Sequence, residues 1–280
     1  MLRTRILTAI CLLAIVLPAV ATEMTWIWSL VALGFAVLAA REWRRMQADC
    51  RSEQDAGRAL AFASVVLVAG LAWMGLEVWQ PDLSHQLAIV VLGLAALFWV
   101  TLGPMRLRTQ ALDGGGAWLA GALVFACWVG LVELRQVGIV PLVVALLIVW
   151  IADIGAYFVG RGFGRRKLAP TISPGKSWEG AFGGAFFVAV FGLIAAASPA
   201  MVNTLPERLV VSVGPLLAAV VLLLLAALSV VGDLYESALK RQAGVKDSGR
   251  TLPGHGGVLD RIDALIPVIP CIALLHKVLP

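Results

Sequence analysis

Asp233, Ser237 and Lys240 are spaced i, i+4 and i+7, so on a continuing helix a carboxylate, a hydroxyl and an ammonium share one face. Asp260 and Asp263 follow at i, i+3, which places two more carboxylates on one side of a helix start. The stretch KDSGRTLPGHGGVLDRID, Lys246 to Asp263, also holds Pro253, Gly254, Gly256 and Gly257. A loop of that composition lets its backbone approach a ligand closely. Oxygen donors of this kind suit a hard cation such as Mg2+, which takes one or two carboxylates together with substrate phosphates. Lys240, Arg241, Lys246 and Arg261 add donors for phosphate oxygens. The chemistry these residue types point to is the handling of polyanions around a metal ion, with Asp233, Asp260 and Asp263 as its ligands. His255, among the glycines, is equally well read as a loop histidine satisfied by backbone groups.

A second group lies upstream. Asp153 falls well inside an apolar run, where an unpaired charge costs about 2.5 to 3.5 kcal/mol on insertion scales, so it must face protein, ions or water. Ala152, Ala156, Gly160 and Gly164 recur every four residues, a small-residue stripe that lets another helix approach. Beyond the run, Arg161, Arg165, Arg166, Lys167 and Lys176 accumulate around SPGKS, Ser173 to Ser177. That excess of positive charge suggests a polyanion, although a solvated loop shows part of the same pattern.

The elements that must position these residues are membrane helices. The 280 residues are 60% hydrophobic and 14% charged, with a mean hydropathy of +0.92, far from the composition of a water-soluble domain. Nine continuous apolar runs are long enough to span a bilayer: 6–22, 25–40, 59–79, 85–103, 117–133, 139–160, 178–197, 211–233 and 262–278. They do not alternate, which excludes a barrel of strands and predicts an all-α, polytopic helical bundle. With the N-terminus inside, 19 of the 22 basic residues fall in inside segments, leaving Arg135, Arg208 and Lys277 outside. Arg3, Arg5, the first apolar run and Ala19 to Ala21 also fit a cleavable secretory signal, whose removal would leave eight spans and change no later loop. The net charge of +5 suits loops facing anionic lipid head groups and requires no nucleic acid. Cys11, Cys50, Cys127 and Cys271 have no metal-binding or disulfide spacing.

Residues 1–138 read as generic membrane helices and residues 139–280 as the region that carries chemistry. Within the first half, the charged loop from Arg41 to Arg58 reads as a solvated connector, and LDGGGAW, Leu112 to Trp118, as a flexible turn rather than a phosphate cradle. Glu77 and Glu133, near span ends, receive no role.

The pattern Ser237-x-x-Lys240-Arg241, then Lys246-Asp247-x-Gly249, then Leu252-Pro253-x-His255-Gly256-Gly257-x-x-Asp260-Arg261-x-Asp263 resembles the signature of the phosphatidate cytidylyltransferases, or CDP-diacylglycerol synthases. Ser173-Pro174-x-Lys176-Ser177-x-Glu179-Gly180 and the stretch from Asp153 to Gly164 resemble that family's upstream motif. The resemblance covers roughly the last 130 residues and implies transfer of CMP from CTP to phosphatidic acid at the cytoplasmic face of a bacterial inner membrane. It implies Mg2+, with a monovalent cation such as K+ beside it, and a homodimer. Under it, Asp233, Ser237, Lys240, Asp260 and Asp263 form the catalytic set, while Lys176, Ser177, Arg241, Lys246, Asp247, His255, Gly256, Gly257 and Arg261 bind substrate. A relative acting on an ether or isoprenoid lipid phosphate would look the same. A secondary transporter could place Asp153 and Asp233 in an ion path, but has less reason to gather these residue types at one membrane edge.

Overall fold

The computed structural model describes residues 2–47, 55–112 and 116–280. Asp113 to Gly115 of the glycine turn, and Asp49, Cys50, Arg51 and Glu53 of the charged connector, lie outside the described residues. Helices dominate: α1 Leu2–Ala21, α2 Thr25–Met46, α3 Ala56–Trp79, α4 Pro81–Leu97, α5 Gly103–Thr109, α6 Gly116–Val137 and α7 Ile139–Phe163. A hairpin of β1 Lys167–Ala169 and β2 Ser173–Ser177 precedes α8 Trp178–Ala196, α9 Leu205–Gln242, α10 Leu259–Ile262 and α11 Leu265–Val278. A π-helical turn, Phe98–Leu102, joins α4 to α5 just before Pro104, which has no N–H to continue the α ladder.

Among the described residues, eight helices are long and apolar enough to cross a membrane. The ninth expected span, 262–278, is the exception. Its helix is α11, 14 residues long, and about 21 Å of helix falls short of a hydrocarbon layer of about 30 Å. Leu265 to Ala273 are all buried. Protein rather than lipid surrounds this helix, so the short α10 and the polar break at Asp263 are tolerated there.

Hydrogen bonds tie alternate helix ends into two edges. At one, Arg5 of α1 donates to the Gly254 carbonyl (3.0 Å), Thr8 to that of Pro253 (2.7 Å), and Gln242 of α9 to that of Gln110 after α5 (2.7 Å). At the other, Arg135 of α6 donates to the Val20 carbonyl at the end of α1 (3.0 Å), and Lys277 of α11 lies 2.8 Å from His85 in α4.

The small-residue stripe does what its spacing predicts. A Cβ on Gly180 of α8 would lie 2.7 Å from the Ala156 carbonyl oxygen and 3.1 Å from the Gly160 Cα, so α7 and α8 pack backbone to backbone. The helix α9 runs past the expected end at 233 to Gln242, with a break at Gly214 (φ 81°) ahead of Pro215 near its start. Its rotation is fixed by Tyr235, which is buried against Trp43, Trp99 and Phe98 at ring-centroid distances of 6.0, 5.4 and 6.4 Å. With that ring inward, Asp233, Ser237 and Lys240 point to a different side, where α10 and the hairpin meet them.

Candidate active site

Lys240 lies 2.7 Å from Asp260 and also pairs with Glu236, one turn before it on α9. Lys176, delivered by β2, lies 2.6 Å from Asp233. Ser237 donates to Asp233 at 3.3 Å, so the predicted i, i+4, i+7 face forms as one unit. Gly232 lets the next element in: a Cβ there would lie 2.5 Å from the Asp263 carbonyl oxygen and 2.6 Å from the Pro267 ring. The absence of a side chain at Gly232 thus lets the backbone at Asp263 pack directly against α9 beside Asp233.

 

The contact is steric in origin: α9 carries no Cβ at Gly232, so the Asp263 carbonyl and the Pro267 ring lie against its backbone. Asp153 on α7 accepts from Ser229 of α9 at 3.0 Å. Electrostatically, Asp153 and Asp263 each respond to Asp233 and to Lys176. Lys176 is thus paired with Asp233 and acts on Asp153 and Asp263 through space.

The expected metal trio is nevertheless divided. The oxygens of Asp260 are occupied by Ser248 N–H (3.0 Å), Gly257 N–H (2.8 Å) and the Lys240 ammonium. Among the described residues, no three His, Cys, Asp or Glu side chains are arranged to hold a metal ion. Asp260 instead orders the loop and Lys240. Burial would raise the Asp260 pKa, but hydrogen bonds with Glu236, Lys240 and the Gly257 N–H outweigh it and hold the group down at about 2.

The glycine loop closes around this carboxylate. Leu252 and Gly256 pair through N–H to carbonyl at 2.9 Å, and Gly256 is left-handed at φ 86°. A Cβ on Gly256 would sit 2.8 Å from Asp260 Oδ2. The His255 carbonyl accepts from Arg261 (3.1 Å), and its N–H donates to Leu252, so His255 orders the loop through its main chain.

Other expected binding residues are committed to structure. Ser177 is buried and caps α8, its hydroxyl accepting from Gly180 N–H at 3.2 Å. Arg241 donates to the Ile172 carbonyl at 3.2 Å and steadies the hairpin. Lys246 and Asp247 line a separate cavity with the end of α2.

Two carboxylates escaped the sequence reading. Glu236 sits one turn before Lys240, a spacing that could have marked it. Glu42 corrects the connector reading of 41–58: it is buried and accepts from Ser248 Oγ (3.0 Å), Thr251 Oγ1, Val258 N–H (3.1 Å) and Leu259 N–H (2.8 Å). A carboxylate so supplied with donors pins α2 to the loop. Nothing in its local sequence distinguishes it from its charged neighbours.

The profile of the cytidylyltransferase family matches residues 3–279. The chain belongs to the cytidylyltransferase family. It is 40% identical to a phosphatidate cytidylyltransferase of Pseudomonas aeruginosa, over 98% of this chain and 97% of the relative. A phosphatidate cytidylyltransferase of Brucella suis is 37% identical over 95% of this chain and 89% of its own. One of Haemophilus influenzae is 33% identical over 96% of each. Family membership thus extends over both halves of the chain, including α2 and its Glu42, and not only over the signature near the end.

Proposed function

We propose that the protein is a phosphatidate cytidylyltransferase, joining CTP and phosphatidate into CDP-diacylglycerol and pyrophosphate. The observation that carries this reading is the meeting of two ammonium–carboxylate pairs, Lys176 with Asp233 and Lys240 with Asp260, at one edge of a membrane bundle. An oxygen of the lipid phosphate forms a bond to the α-phosphorus of CTP. The bond from that phosphorus to the β-phosphate oxygen breaks, and its electron pair leaves with pyrophosphate. The attacking phosphate is already ionised, so no general base is required of His255.

The residues mainly overcome repulsion between two polyanions. Lys176 and Lys240 bring positive charge to the reacting phosphates, and Ser237 holds Asp233 in place. Asp233 and Asp263, with Asp153, would hold Mg2+, accompanied by a monovalent cation such as K+; when bound, the metal supplies Lewis-acid neutralisation of phosphate charge. A lipid acceptor is supported by an apolar cavity of about 370 Å3 between α1, α2, α6 and α7, which has Arg261 on its rim and Trp28, Trp128 and Trp150 in its walls. The charge bias of the loops supports a site facing the cytoplasm, where CTP is found, in a bacterial inner membrane. A homodimer is carried by the family resemblance alone.

The purified protein, given labelled CTP, Mg2+ and phosphatidate, should move label into the organic phase, and Asp260→Asn should abolish transfer while remaining in the membrane. Turnover of that variant at the parent rate would overturn the role of Asp260. Faster turnover of ether-linked or isoprenoid phosphates would reassign the acceptor.

A further inference from the structure

Between the end of α2 and the loop after α9 lies a cavity of about 740 Å3 whose wall carries Arg41, Arg45, Lys246 and Arg250, with Glu42 and Asp247. Among the described residues, none of these four cations forms an ion pair. Arg41 Nε is buried without a hydrogen-bond partner. Such a donor costs stability unless something accepts from it. Glu42 cannot, because its oxygens are taken by Ser248, Thr251 and the backbone of Val258 and Leu259. Asp247 alone leaves the basin with an excess of positive charge.

The basin also adjoins the reaction centre. Ser248 lines it, and the Ser248 N–H donates to Asp260, the partner of Lys240. A polyanion lying in the basin would therefore end beside Lys240.

We propose that this basin holds the β- and γ-phosphates of CTP, with Arg41 and Arg45 of α2 pairing with them beside Lys246 and Arg250. The inference rests on the cytidylyltransfer reading and deepens it: the first half of the chain grips the leaving group. Charge accumulating on pyrophosphate as the bond from the α-phosphorus breaks is met by guanidinium groups, whose planar donors suit phosphate oxygens.

The test compares Arg41→Gln, Arg45→Gln and Arg250→Gln with Arg108→Gln, which removes an exposed cation elsewhere. Each basin variant should raise KM for CTP by about tenfold and weaken inhibition by pyrophosphate in parallel, leaving KM for phosphatidate unchanged. Arg108→Gln should change neither. Arg45 and Arg250 are exposed, so their variants should melt like the parent, which separates lost binding from lost folding. A rise in KM for phosphatidate alone would give the basin to the lipid head group, and unchanged constants for both substrates would overturn the proposal. Calorimetry with pyrophosphate alone separates this idea from the reading beneath it. A parent protein that binds pyrophosphate, with the Arg41→Gln/Arg45→Gln pair failing to, supports the basin even if no CMP transfer is found; a parent that does not bind it sinks the basin even if transfer is active.

Discussion

The bundle has polar clusters at both edges, and they differ in how their charges are settled. At the edge away from the candidate site, Lys277 lies 2.7 Å from Glu133 and 2.8 Å from His85, and Arg208 donates to the His276 carbonyl at 2.7 Å and lies 2.9 Å from its Nδ1. His276 Nε2 in turn lies 2.9 Å from the Asn203 carbonyl. These groups answer one another across α4, α6, α9 and α11. At the other edge, Lys176 is paired with Asp233, while among the described residues the four cations of the α2 basin form no ion pair. A closed network serves packing, and an unbalanced one is built for a ligand that brings the missing charges.

Breaking the unbalanced edge should have the larger consequence. Asp233→Asn should lower CMP transfer by about three orders of magnitude or more, read by single-turnover assay, because it removes both the partner of Lys176 and an oxygen ligand of the proposed Mg2+ site. Next comes Gly232→Ala, whose methyl group would push Asp263 and Pro267 away from α9. Transfer should fall by about a hundredfold with the helix content unchanged by circular dichroism. At the closed edge, Lys277→Met should leave both KM values unchanged but cost about 3 kcal/mol of stability, since it strands Glu133 in a largely buried setting. Ser177→Ala should cost about 1 kcal/mol through loss of the α8 cap, seen as a lower melting temperature.

The smallest effect expected is one of pH. The Asp260 carboxyl is depressed from 3.8 to about 2, so its stabilising contribution is complete above about pH 3.8 and is lost as pH falls through about 2. The melting-temperature gap between the parent and Asp260→Asn should therefore stay constant from about pH 5 to 8. A gap that closes within that range would show that Asp260 titrates there and is not held by Lys240 and the loop.

The helical bundle was legible because continuous apolar runs leave the backbone no other way to satisfy its hydrogen bonds in lipid. The face of Asp233, Ser237 and Lys240 was legible for a related reason, since helical spacing fixes which side chains share a side. What was not legible about the last apolar run is its surroundings: composition cannot distinguish a helix wrapped by lipid from α11, which is 14 residues long and wrapped by protein. The capping role of Ser177 was not legible, because a hydroxyl in a polar motif looks the same whether it caps a helix or meets a substrate. Glu42 lay hidden among similar charges, its role depending on a loop more than 200 residues away.

By itself, then, the sequence determined the membrane-spanning bundle, the small-residue contact of α7 and the local set of charges on α9, all consequences of interactions between near neighbours along the chain. Only the tertiary structure decided which carboxylate meets which ammonium, that Asp260 is held by the loop and Lys240 while the backbone of Asp263 packs on Gly232, and that α2 reaches the loop. Those outcomes depend on how closely helix backbones approach, at Gly232 above all, and that distance is set by side chains on both partners.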